Sequence, residues 1–139
     1  MATLAMNDAE AIDASLEIAA THCDDITPLV FDRFFAERPE ARAFFHLDDI
    51  DPRARGRMLV EILVLLNDSA RGEGYVPPTL ATIAADHVSY GIHGRDLYIA
   101  FFDALRSVLA ELLAADWTPD YAAAWDRQCD VLLHAIPAG

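Results

Sequence analysis

The chain has 139 residues, 54% of them hydrophobic, with a formal net charge of −13. That length and apolar content exclude a disordered chain and suit one domain, 1–139, with a sizeable core. Its basic residues are ten arginines with no lysine and no basic block, a poor match for a nucleic-acid backbone or an anionic membrane surface.

The opening stretch MATLAMNDAE has no positive region followed by an apolar run, so no signal peptide is expected. The pattern predicts helices over 8–21, 27–37, 39–45, 52–68, 78–89, 95–114 and 119–136. Asn7 or Asp8 can cap the first. Thr27-Pro28, Asp51-Pro52 and Thr118-Pro119 each set a capping side chain before a proline, which lacks the amide that would be orphaned there. Pro39 and the Pro77-Pro78 pair offer two further starts. No sustained two-residue alternation argues for a strand, so the expected class is all-α. SARGEGYVPP reads as a loop inside the domain. The longest apolar run, MLVEILVLL, contains Glu61 and falls short of the ~20 residues a bilayer span needs. A soluble cytoplasmic protein is expected.

The helical faces can be assigned. Over 52–68, Arg57, Glu61 and Asp68 share a polar face. Arg55, Met58, Leu59, Ile62, Leu63 and Leu66 oppose it. Leu97, Phe101, Leu105, Val108 and Leu112 form one core stripe; Tyr121, Trp125, Cys129, Leu132 and Ile136 form another. Cys23 and Cys129 match neither a disulfide framework nor a metal motif. In LATIAADHVSYGI, Leu80, Ile83, Ala84 and His87 lie on one stripe, which turns an imidazole inward just before Gly91.

Taken in order, these stretches resemble a globin, over nearly the whole chain. FDRFFAERPEARAFF is similar to the second and third globin helices, with Phe45 at the phenylalanine that packs on the haem. LATIAADHVSYGI is similar to the proximal helix, and the resemblance implies His87 as the iron ligand. LYIAFFDALRSVLAELL and WTPDYAAAWDRQCDVLLHAI resemble the last two helices of bacterial and plant haemoglobins. The resemblance implies a globin fold of about seven helices around haem b (iron protoporphyrin IX). It also implies reversible binding of oxygen, nitric oxide or CO at a five-coordinate iron.

The chain departs from bacterial flavohaemoglobins at several positions. Where they carry a distal tyrosine, this chain has Phe31, which has no hydroxyl to donate. Their distal glutamine or histidine is matched by Arg55, which can donate to a bound gas or turn outward to a propionate. Leu59 is then expected to wall the pocket; a slip of one residue would put Ala54 and Met58 there instead. Their proximal tyrosine is matched by Leu97, beside Tyr98, and no reductase domain is expected. Nitric-oxide dioxygenation or weak peroxidation would thus need a separate reductase, and gas sensing would need a partner.

His93 and Arg95 either bind a propionate or sit solvated. His46 would be a sixth ligand only if its loop folded inward. His22 and His134 read as surface residues, and Asp24-Asp25 and Asp48-Asp49 lack calcium-loop spacing. No phosphate loop, nucleophile elbow or zinc motif is found.

Overall fold

A computed structural model describes residues 6–45 and 51–138. Six α-helices follow one another: α1 (Asp8–His22), α2 (Thr27–Glu37), α3 (Ala54–Ala70), α4 (Val76–Val88), α5 (Asp96–Leu113) and α6 (Pro119–His134). Short 3-10 helices at Pro39–Phe44 and Ala114–Asp116 join them, and no strand occurs among the described residues. His46, the rival iron ligand, and the Asp48-Asp49 pair lie outside those residues.

The starts follow from local chemistry, with corrections. Asn7 closes a capping box with Glu10, so α1 begins as expected. Thr118 accepts from the Tyr121 amide and starts α6. Thr27 does not cap: Asp25 accepts the Thr27 amide instead (2.9 Å), and Thr27 is already helical. At Asp51-Pro52 the carboxylate accepts from the Arg53 amide (3.0 Å), which makes a turn and delays α3 until Ala54. α4 begins two residues early, at Val76, and carries Pro77 and Pro78 in its amide-free first turn.

α5 is the central helix, with α1, α2 and α6 packed around it, while α3 bridges α1, α2 and α6 and carries α4 on its outer side. Two clusters fix the centre. Phe31 and Phe34 of α2 each meet Phe101 of α5 edge-on with centroids 5.4 Å apart. Phe45 meets Phe31 and Phe35 at 5.3 and 5.4 Å. In the second cluster the Trp125 indole, wholly buried, donates to the Ser15 hydroxyl (2.8 Å), which donates to the Ile12 carbonyl (2.8 Å). α1 and α6 are also fastened at the surface, where the Arg127 fork and the Gln128 amide converge on Asp8. The Arg127 bond holds the Asp8 carboxyl below the usual carboxylate range. No helix among the described residues is long and apolar enough to cross a membrane.

Candidate functional site

α3, α4 and α5, with Phe44 and Phe45, line a cavity of about 250 Å³. α3 lines it with Ala54, Met58 and Ile62, four residues apart and therefore on one face. Glu61, exposed, stands at its rim. α4 contributes Ile83 and His87; α5 contributes Leu97, Tyr98 and Phe101. The walls are overwhelmingly hydrocarbon, the character of a small-molecule cleft.

His87 is half-buried near the end of α4, with the anchors Leu80 and Ala84 turned into the protein on the same side of the helix. Its Nδ1 lies 2.7 Å from the Ile83 carbonyl oxygen. A carbonyl only accepts, so this bond puts the ring proton on Nδ1 and leaves the lone pair on Nε2. The Tyr98 ring packs against the imidazole, centroids 5.8 Å apart, and limits its rotation.

The donor set defines what such a site can hold. Among the described residues no group of three or more His, Cys, Asp or Glu side chains could hold a bare metal ion. One imidazole on an apolar wall suits a metal already bound by a flat macrocycle, which fills the cleft with its own hydrocarbon. Here the residues fit a haem.

Several expected site residues lie elsewhere. Phe45 lines the cavity as expected. Arg55 and Leu59 do not, because α3 is rotated so that its Ala54–Met58–Ile62 stripe faces inward. That is the one-residue slip. One position further on, about 100° round the helix, Leu59 is buried against the core. The Arg55 guanidinium lies over the Phe35 ring, 4.9 Å from its centroid, and also near Phe31 and Phe45. Phe31 is fully buried behind Phe45, in the aromatic cluster. Glu61, read from the sequence as outward-facing, reaches the rim.

The propionate candidates also turn away. His93 is exposed and lines a second cavity, of about 340 Å³, that Tyr98 also borders. Arg95 donates from Nε to the Ile136 carbonyl (2.6 Å), two residues beyond the end of α6. Tyr98 itself was missed as a site residue, although its spacing to Phe101 and Phe102 puts it on their face. It lines both cavities; its hydroxyl is buried without a hydrogen-bond partner, and burial raises its pKa.

The family model described as Globin matches residues 29–136. No curated protein matches the chain.

Proposed function

The chain belongs to the globin family, a family of haem-binding proteins, and from that premise we propose that it holds one haem b through His87 Nε2 and binds a diatomic gas reversibly. The observation that carries the reading is the His87 imidazole on the cleft wall, its Nδ1 committed to the Ile83 carbonyl. Fixing the second nitrogen in this way sets the tautomer and orientation of a metal ligand. Haem supplies a ferrous centre to which oxygen, nitric oxide or CO adds reversibly.

The chain's own residues do the rest. Phe45, Met58 and Ile62 offer apolar contact to the macrocycle and keep water from it. Phe31 packs edge-on against Phe45, Leu59 is buried in the core, and Arg55 lies over the rings that include Phe45. His93 is left to the second cavity. The whole chain, 1–139, is read as one domain: α1, outside the matched stretch, places Ile12 and Ala19 in the same core as Phe101 and Trp125.

Absorption spectra of the ferric, ferrous and CO-saturated forms test the reading. A five-coordinate ferrous band that shifts with CO is expected; the absence of a haem band, or a ferrous band that CO leaves unchanged, overturns it. Haem should also raise the thermal midpoint, because it binds only the folded chain. At a hundredfold excess over Kd the gain is about 2.7 kcal/mol, and equal midpoints with and without haem would refute it.

The α3 face turned to the cleft also sets how firmly oxygen is held. Ala54, Met58 and Ile62 offer no donor to a gas that becomes partly negative on binding. Met58→Gln should therefore slow oxygen release by about tenfold, the worth of one added hydrogen bond. Arg55→Leu should alter it less than about twofold, because the guanidinium lies over the Phe35 ring. Rapid-mixing dissociation rates decide this: a tenfold faster release from Arg55→Leu would put the guanidinium on the gas.

A further inference from the structure

We propose that Gly91 is a positioning residue for the iron ligand: the chain reversal it permits holds the His87 backbone and, through it, the imidazole in the cleft. The inference rests on the reading of His87 as that ligand. α3 and α4 end in the same way. At the end of α3 the Gly72 amide donates to the Ser69 carbonyl and the Glu73 amide to the Asp68 carbonyl, both at 3.0 Å. At the end of α4 the Gly91 amide donates to the Val88 carbonyl and the Ile92 amide to the His87 carbonyl, again at 3.0 Å. Both glycines have positive φ, +78° at Gly72 and +92° at Gly91, where any side chain is strained.

The two turns differ in what they hold. In α3 the carbonyl that closes the turn belongs to Asp68, which does not line the cleft. In α4 it belongs to His87 itself, and that carbonyl accepts the Tyr90 amide as well (3.0 Å). The turn therefore fixes the backbone of the candidate ligand, while the Ile83 carbonyl, one helical turn earlier, fixes its Nδ1.

The α4 turn also borders the cleft. Tyr90 and Ile92, on either side of Gly91, both line it, and so does Phe44. The Phe44 ring comes within 3.5 Å of where a Cβ on Gly91 would stand, an ordinary contact distance. At Gly72 nothing lies within 4 Å of such a Cβ. Gly91→Ala therefore meets no clash, and its cost is the backbone angle alone. Relieving that strain takes φ out of the positive region and breaks the Ile92 bond to the His87 carbonyl. The imidazole then stands on a helix end that is no longer closed.

The test compares Gly91→Ala with Gly72→Ala, which puts the same strain into the same kind of turn at a residue that does not line the cleft. In the haem-loaded ferrous chain, resonance Raman spectra read the iron–histidine stretching band. Gly91→Ala should move or broaden that band and raise the haem dissociation constant about tenfold, the strain of one left-handed residue expressed as an equilibrium ratio. Gly72→Ala should leave both at the parent values, while lowering the thermal midpoint of the haem-free chain as much as Gly91→Ala does. In the full haem-free chain, the nitrogen resonances of the neutral His87 imidazole should place the proton on Nδ1 in the parent and in Gly72→Ala. In Gly91→Ala they should show it divided between the two nitrogens. Should Gly91→Ala fail to fold, Gly91→Asn, a residue more tolerant of positive φ, should give the same changes in smaller degree. A parent-like band and tautomer in the Gly91 variant, or equal changes in the Gly91 and Gly72 variants, overturns the proposal. Failure of the haem reading looks different: the parent would show no haem band, and the imidazole resonances would still report whether Gly91 holds the ring.

Discussion

Replacing His87 by alanine should strip the chain of stably held haem. Among the described residues the cleft wall offers one imidazole, and its apolar neighbours Ile83, Leu97 and Phe101 cannot replace a coordinate bond. Alanine is the best helix former, so α4 should persist, and far-ultraviolet circular dichroism should stay close to the parent. The loss should then appear as a missing Soret band in a folded protein. Added imidazole is small enough to enter the space left by the side chain, and should restore much of the band. The measurement is haem titration of both proteins with and without imidazole. Wild-type spectra and affinity in the alanine variant would mean that another residue holds the iron.

Trp125→Ala should be the most destabilising single change in the core. The indole is wholly buried between α1 and α6, and its Nε1 donates to Ser15. Truncating a buried tryptophan costs about 3–5 kcal/mol through lost burial and the cavity left behind. Total stabilities of domains are about 5–15 kcal/mol, so the variant should be close to unfolding at physiological temperature. Near 139 residues, each kcal/mol moves the midpoint by roughly 4 °C, which predicts a fall of about 12–20 °C. Ser15→Ala should cost far less, about 1 kcal/mol, because it loses the hydrogen bond and keeps the packing. Thermal unfolding of the two variants checks the order; a smaller loss for Trp125→Ala than for Ser15→Ala would be incompatible with the packing described.

The helices were readable because capping residues, prolines and apolar spacing agree. Asn7 with Glu10 and Thr118 with Pro119 are signals within a few residues of one another, and local physics decides them. The stripe Leu80–Ile83–Ala84–His87 likewise fixed the direction of the imidazole. The rotation of α3 was not readable. Its apolar residues Met58, Leu59, Ile62, Leu63, Leu65 and Leu66 wrap a broad arc, so periodicity permits either the Ala54 or the Arg55 side to face the cleft. Tertiary packing decides between them: Leu59 is buried in the core, and Arg55 lies over the α2 rings. The second cavity was invisible for a related reason. It is made by Ala84, Tyr98 and Ile136, residues unremarkable in sequence and brought together only by the fold.

The buried position of Trp125 has an optical consequence. An indole sealed from water emits at shorter wavelength than a solvated one, and a porphyrin absorbs in that region. Trp125 belongs to the same packed core as Phe101, which lines the cleft. Excitation energy reaching the indole would then pass to the cofactor instead of being emitted. Loading could be followed in real time as a loss of ultraviolet fluorescence, with no label attached.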